Sequence, residues 1–439
     1  MNLVDTAAHP GSAAEYRFGP RQAWFAFVMT AALMIVDYLD RQVIVSLFPY
    51  IKESWGLSDT QLGALVSIVS VTVALAAMPI ALLADRWSRV RSIVVMALVW
   101  SLATISCLFT RNYGQLLAAR AVVGLGEAGY GSVGAALIAS LFPARLRAGL
   151  LAAFFASASV GSVLGVMLGG VIAEHWGWQA AFGVVGIPGL VLALLYLKVR
   201  DYRTVALTPT QSAASRKRGA AAFALESLLR SRTMLWACIG AGAQLIVVSS
   251  VWAWLPSFLH RFHGMAPHVA GVSAAFVVLF GAAGSMVWGV VVDRVGTQGS
   301  RHKLYAMAGL CLVTLLVLMP TFAVTGKLPH SAQFLLIAIG GFMMTCTVGP
   351  VSAIVIDVTH AGLRATGASV LSLFQNLLGL AAGPVITGAL SDAFGLDSAL
   401  TVIPAFSVLA ALCFVMASRT YEAEARQQVT CAEESLCAA

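Results

Sequence analysis

Runs of roughly 20 predominantly apolar residues recur from one end of this chain to the other, each long enough to cross a bilayer as an α-helix. They fall near 23 to 50, 58 to 84, 90 to 110, 115 to 141, 147 to 173, 179 to 199, 234 to 258, 268 to 292, 303 to 324, 331 to 356, 366 to 390 and 396 to 418. Little remains for a soluble domain, since 59% of the 439 residues are hydrophobic and 10% are charged, against roughly a quarter charged in ordinary soluble domains. A lipid-embedded backbone must satisfy its polar groups within each segment, so the expected fold class is an all-α membrane protein with twelve transmembrane helices. Residues 1 to 22 are polar and contain two prolines, which is not the pattern of a cleaved signal peptide.

The formal charge of +8 invites a nucleic-acid reading, but the distribution of the basic residues argues for topology instead. With the N-terminus placed inside, only Lys52, Arg111, Arg261 and Lys327 fall on the outer side, and only Arg41 and Arg120 fall within spans. Both termini are therefore expected in the cytoplasm, with no nucleic-acid partner. Seven cysteines at 107, 238, 311, 346, 413, 431 and 437 show no CxxC spacing, which argues against a disulfide framework or a zinc site.

The longest connection divides six spans from six. The expected organisation is a cytoplasmic segment (1–22), a six-helix bundle (23–199), a central cytoplasmic loop (200–233), a second six-helix bundle (234–418) and a cytoplasmic tail (419–439). The central loop carries Arg216, Lys217 and Arg218, then AAFALESLLRSR, whose helical periodicity suits the inner membrane surface. The tail from Thr420, ending QQVTCAEESLCAA, reads as polar and unstructured.

The two halves repeat. ALLADR ends span 2 and GVVVDR ends span 8, so Asp85 and Asp293 stand 208 residues apart. RLRAG after span 4 answers GLRATG after span 10, with Arg147 and Arg364 217 apart, and AEHWG after span 5 answers SDAFG after span 11, 218 apart. Three landmarks at nearly one offset indicate duplicated halves, an arrangement in which secondary transporters hold substrate at midplane between the repeats. The charged turns at the inner ends of spans 2 and 8, with Asp85, Arg86, Arg89, Asp293 and Arg294, are candidates for a conformational latch between the halves; a solvated, topology-setting role is the alternative.

The chemistry is concentrated in spans 1 and 4. DYLDRQ, residues 37 to 42, places Asp37, Asp40 and Arg41 inside an apolar run, where each charge costs roughly 2.5 to 3.5 kcal/mol on insertion scales. Asp37 and Arg41 are one helical turn apart and share a face, while Asp40 is offset and must find its partner on another helix. Arg120 and Glu127 are two turns apart on span 4, too far for a direct pair, so each looks elsewhere. Burial favours the neutral form of a carboxyl; Glu127 is the leading candidate for a proton carrier, Asp40 the second, and a permanent structural ion pair the competing account. The second half offers neutral Gln244, Ser249, Ser250, Gln375 and Asn376 beside Trp252 and Trp254, so a cavity charged on one wall and apolar on the other suits an amphiphile with a charged head.

Other motifs point to packing. GYGSVG, residues 129 to 134, matches GxGxxG literally but lies inside a span rather than between strand and helix. Ser157, Gly161, Gly165 and Gly169 recur every four residues in span 5, a stripe for close helix approach. The histidines of HRFHGMAPH, His260, His263 and His268, read as a solvated outer loop. No cofactor or metal is expected, and no nucleophile with its base is visible, so the chain does not read as an enzyme.

The six-plus-six division and the paired xxxDR loops resemble the major facilitator superfamily over essentially the whole chain. Its loop pattern GxxxDRxGRR is met partly by ALLADRWSRVR, with Ala81 and Ser88 in the glycine positions, and by GVVVDRVG, which keeps Gly289 and Gly296. Within the superfamily, VDYLDRQVIVSLF, LLAARAVVGLGEAGYGSVGAALIASLFPARLRAG and VWAWLPSFLHRFHG resemble the bacterial spinster-like family. That resemblance implies a proton-linked exporter of lysolipids or related amphiphiles in the bacterial inner membrane, acting as a monomer. It makes Asp40 and Arg41 the coupling pair of span 1, Glu127 their protonatable partner, and Arg120 a charge engaging Glu127 or the substrate headgroup. The expected substrate cavity comprises Arg41, Arg120, Gln244, Trp252, Trp254, Gln375 and Asn376. Resemblance to the anion:cation symporters, which move organic acids with protons, is the alternative, along with a proton-antiporting drug exporter.

Overall fold

A computed structural model describes residues 19–201, 231–297, 299–359 and 364–437. Among these residues there is no strand, and twelve helices are long and apolar enough to cross a membrane. Span 1 is Pro20–Trp55, span 2 Asp59–Arg86, span 3 Arg89–Cys107, span 5 Ala144–Trp176, span 6 Trp178–Tyr196, span 7 Arg232–His263, span 8 Pro267–Gly296 and span 9 Ser300–Ala323. Large apolar side chains such as Leu102, Phe109, Phe276, Leu316 and Leu412 lie on the outside, as lipid in place of water requires.

Spans 4 and 10 are each broken. Span 4 comprises Tyr113–Glu127 and Tyr130–Leu141, and the chain turns at Gly129 with φ 82°, a conformation glycine adopts without penalty. Span 10 comprises His330–Met344 and Val348–Asp357. Glu127 and Met344, the last residues before each break, are 217 residues apart, the offset that relates the duplicated loops. The reading of span 4 as one continuous helix is corrected here: the glycine run GLGEAGYG supplies the break rather than a packing stripe alone. Span 11 runs from Arg364 to Phe394 through a π-helical turn at Gln375–Ala381, a feature often found at functional sites.

The span 5 stripe packs as its spacing predicts. Gly161, Gly165 and Gly169 face the Ile35, Leu39 and Val43 carbonyls of span 1, and a Cβ on Gly165 or Gly169 would lie 2.5 or 2.6 Å from those oxygens. Backbones meet because no side chain intervenes.

Three apolar clusters define how the halves sit. One, around Trp100, Tyr130 and Phe154, belongs to the first half near the face that bears the chain ends. A second, around Met307, Ile354 and Phe414, belongs to the second half near that same face. The third joins Val43 to Ile51, Leu62 and Leu65 of the first half with Trp254, Phe258, Ala270 and Leu400 of the second. The halves therefore share one core at the opposite face and keep separate cores at the face of the termini.

Two expectations change at the chain ends. The polar tail is not unstructured: the last helix continues from Phe406 to Cys437. Its residues are good helix formers, and the first turns beyond the membrane are tethered, with Tyr421 donating to Asp357 at 2.7 Å, Glu422 paired to Arg301 at 3.1 Å and Glu424 accepting from Ser231 at 2.6 Å. The histidines lie on helices rather than a free loop, and they have separate partners: His260 with the Met265 carbonyl, His263 with His330 and His268 with Glu174. The amphipathic segment of the central loop lies mostly outside the described residues.

Replacing Gly165 by valine is expected to cost about 1–3 kcal/mol of stability through overpacking, read as a lowered unfolding midpoint in detergent. Gly149, on the same helix with nothing within 4 Å of an added Cβ, is the control and should accept alanine without loss.

Candidate functional site

Span 1 presents charges on two successive turns, Asp37 and then Asp40 with Arg41, to spans 3 and 4. Asp37, Asp40, Arg120 and Glu127 are each at most 2% exposed, and the Arg41 side chain is 17% exposed. Helix spacing divides them into two groups, as Asp40 and Arg41 leave adjacent faces of the same turn.

The first group is matched in charge. Asp40 receives Arg120 Nη1 at 3.2 Å on Oδ1 and the Thr104 hydroxyl at 2.5 Å on Oδ2, and Arg120 also donates to the Asp40 carbonyl at 3.3 Å. One guanidinium faces one carboxylate, and both carboxylate oxygens are engaged. Arg120 thus pairs with Asp40, not with Glu127 as the resemblance allowed.

The second group is not. Arg41 Nε lies 2.9 Å from Glu127 Oε2 and 3.8 Å from Asp37 Oδ2, so the intrahelical Asp37 contact expected from spacing is the longer of the two. Asp37 Oδ1 and both Glu127 carboxyl oxygens are buried without a hydrogen-bond partner, the Arg41 contact being an ion pair. Two carboxyls share one guanidinium. The Arg41 guanidinium also lies over the Tyr38 ring at 5.2 Å, a cation–π contact that orients it. Glu127 reaches this point because span 4 breaks immediately after it.

A cavity of about 100 Å³ adjoins the site between the halves. The first half contributes Tyr38, Arg41, Gln42, Ser70, Arg120 and Ser162 together with Val45, Val66 and Val69, and the second contributes Ser249, Trp252, Ala253, Leu380 and Pro384. Three expected cavity residues, Arg41, Arg120 and Trp252, line it. The other four do not. Gln244 is fully buried and donates to the Met344 carbonyl at 3.0 Å, one of the groups freed where span 10 breaks. Trp254 donates to the Pro384 carbonyl at 3.0 Å and packs on Phe48 across the halves at 5.1 Å. Gln375 and Asn376 lie in the π-helical turn, with Asn376 bonded to the Ser372 carbonyl at 2.9 Å.

Of the expected latch residues, the side chains of Asp85 and Arg86 lie outside the described ones. Arg89 donates to the Ala136 carbonyl at 3.2 Å, Asp293 lies 3.8 Å from Lys303, and Asp293 and Arg294 are exposed. These described contacts stay within one half.

Residues that the sequence reading passed over lie at the opposite face. Asp59, 2% exposed, receives Arg261 through two nitrogens at 2.6 and 2.8 Å, Lys52 at 2.5 Å and Ser391 at 2.5 Å. Asp392 accepts from the Asp59 and Thr60 amides at 2.8 Å each and from the Thr60 hydroxyl at 2.6 Å. They read as ordinary end-of-span charges; the usable signal was that Asp59 and Arg261 each open or close a helix on a different half.

The Major Facilitator Superfamily profile matches residues 30–383. A spinster homologue, Protein spinster homolog 3 of Danio rerio, is 26% identical over 91% of this chain and 85% of its own length. The probable L-galactonate transporter of Escherichia coli K12 is 27% identical over 82% of this chain and 81% of its own. A bacterial homologue of the human lysosomal transporter spinster, crystallised inward-facing and unoccupied, superposes with a TM-score of 0.82 at 21% identity, over 92% of this chain and 98% of that one.

Substituting Arg120 by leucine leaves Asp40 buried without its counter-charge and is expected to cost about 3–5 kcal/mol. Thr104→Val removes a single hydrogen bond and should cost about 1 kcal/mol. Unfolding midpoints of the two purified variants test the ranking.

Proposed function

We propose a transport mechanism from the premise that this chain belongs to the Major Facilitator Superfamily. It is a membrane transporter, and in our reading a proton-coupled secondary one. It works by alternating access in the bacterial inner membrane, with both termini cytoplasmic, and acts as a monomer. The observation that carries the reading is a charge count: three buried carboxyls, Asp37, Asp40 and Glu127, face two guanidiniums, Arg41 and Arg120. With all five ionised the dry cluster holds one uncompensated negative charge, a cost that one bound proton removes.

The geometry favours a location for that proton. Asp40 is matched by Arg120 and Thr104, whereas Asp37 and Glu127 both approach Arg41 alone. Two buried carboxyls beside one guanidinium leave a negative charge unmatched, which favours a proton on one of the pair. Glu127, at the break of span 4, holds it with Asp37 as its neighbour. Loss of the proton leaves Arg41 held by two carboxylates; gain of it frees Arg41 to face the cavity and a substrate anion. Proton and substrate then bias the same two-state equilibrium. Asp85, Arg86, Arg89, Asp293 and Arg294 close the terminus-bearing face in the other half of the cycle.

For the substrate we favour a small amphiphile with an anionic head, lysolipid-like, because Arg41 and Arg120 offer charge to the cavity while Val45, Val66, Val69, Trp252, Ala253, Leu380 and Pro384 offer it an apolar surface. A second reading, a sugar acid or other compact organic acid, is supported by the small volume of that cavity and by the similarity to a probable L-galactonate transporter.

In proteoliposomes, Glu127→Gln is expected to lose accumulation driven by a pH gradient while keeping counterflow of loaded substrate. Accumulation at the wild-type rate would remove Glu127 from the coupling. Arg41→Ala should insert in the membrane yet lose both activities, since the head-group contact and the carboxyl partner go together; a fully active variant would make the span 1 charges structural. Counterflow across lysolipids, sugar acids, aromatic acids and cationic drugs separates the substrate readings.

A further inference from the structure

The carboxylates at the face away from the termini join helices from different halves. Ser58 caps span 2 in the usual way, accepting from the Gln61 amide at 3.2 Å while its own amide donates to Gln61 at 3.0 Å. The next two free amides of that helix start, on Asp59 and Thr60, are taken by Asp392 at the end of span 11. Asp59 turns its own side chain the other way and collects Arg261 from the end of span 7, Lys52 from the end of span 1 and Ser391 from span 11. Beneath this knot the backbones touch, because a Cβ on Gly388 would lie within 3 Å of the Asp59 carbonyl carbon and the Thr60 amide.

The duplication places a related contact across the other seam. Thr60 and His268 are 208 residues apart, and Glu174 and Asp392 are 218 apart, so the Glu174–His268 pair at 2.6 Å stands where the Asp392–Thr60 contact stands in the other repeat. The two seams are unequal. Glu174 and His268 side chains are 43% and 34% exposed, whereas Asp59 is 3%, and exposed ion pairs are heavily screened. The hold is concentrated on the seam of spans 2, 7 and 11.

We propose that Asp59 and Asp392 are the gating residues of the outer face: their contacts with Arg261, Lys52, Ser391 and the start of span 2 hold that face shut, and releasing them is the step that opens the cavity to the outside. The proposal rests on the alternating-access reading above. Opening separates span 2 from span 11, uncaps two helix amides and breaks a bidentate guanidinium–carboxylate contact, so the closed state is strongly favoured until substrate or proton binding offsets the loss. Asp392 is exposed apart from these contacts, so changing it leaves the fold intact.

The test uses the full chain in liposomes, in a background whose seven cysteines are replaced, with spin labels at Ser54 and Phe394 on opposite halves of this face. Electron–electron distance distributions are compared for the parent, Asp392→Asn and Arg261→Gln. Arg261→Gln, which loses the buried bidentate contact, is expected to raise the long-distance, outward-open fraction by about tenfold or more, and Asp392→Asn, at an exposed site, by about threefold. Should Arg261→Gln fail to fold with Asp59 left unmatched, Asp392→Asn alone decides the question. A parent that samples both distances, with variants whose ratio is unmoved, overturns the gate and leaves alternating access standing. A parent and variants locked in one distance at every pH overturn both.

Discussion

Charge neutrality in a dry interior is the constraint around which this molecule is arranged. Three carboxyls and two guanidiniums have been drawn out of water into the first half, and each must find its counterpart there. Asp40 and Arg120 do so completely, which fixes spans 1, 3 and 4 against one another. Asp37, Arg41 and Glu127 do so incompletely, and the shortfall is what gives the site a chemistry. A fully matched cluster would only hold helices together; a cluster one positive charge short has two states.

The backbone is bent to serve that cluster. Span 4 ends its first helix at Glu127, so the carboxyl sits at a helix end. The repeat preserves the break at Met344 but not the charge. There Gln244 meets the freed carbonyl, so a neutral amide does in the second half what the ionisable network surrounds in the first. Duplication supplied the geometry twice, and ionisable chemistry was placed on one copy. The second-half wall of the cavity is consequently built of Ser249, Trp252, Ala253, Leu380 and Pro384, which lets an apolar group rest beside a charged one.

Much of this was legible in the sequence for identifiable reasons. Hydropathy marks spans because lipid admits no unpaired backbone, and four-residue glycine spacing marks the seam of spans 1 and 5 because only one helical face repeats that way. The five central charges stood out by cost, and spacing separated Asp40 from Arg41. Spacing could not choose between partners on different helices, so Asp37 was favoured for Arg41 although Glu127 lies closer. Asp59, Asp392 and Arg261 were hidden for the opposite reason. Charges at span ends are cheap and common, and nothing local distinguishes one that is solvated from one buried against a helix 202 residues away. The tail misled in the same way, since QQVTCAEESL lacks an apolar face and its helix depends on preceding turns held by Asp357, Arg301 and Ser231.

Span 7 and span 1 carry the central state to the outer face. Span 1 bears Arg41 at the cluster and Phe48 and Lys52 further out, the last about 16 Å along the axis from Arg41. Phe48 packs on Trp254 of span 7, and seven residues beyond Trp254 that helix ends in the grip of Arg261 on Asp59. Helices move as bodies, so a change in the pull of Glu127 and Asp37 on Arg41 displaces Phe48 and Lys52 along with it. The shared core through which that displacement passes is packed side chain against side chain and does not yield by degrees. A fractional change at the centre therefore resolves into two alternatives at the face, with the Asp59 contacts made or broken. On the proton-coupled reading proposed above, proton and gate need not touch to be coupled, because each acts on the position of the same two helices.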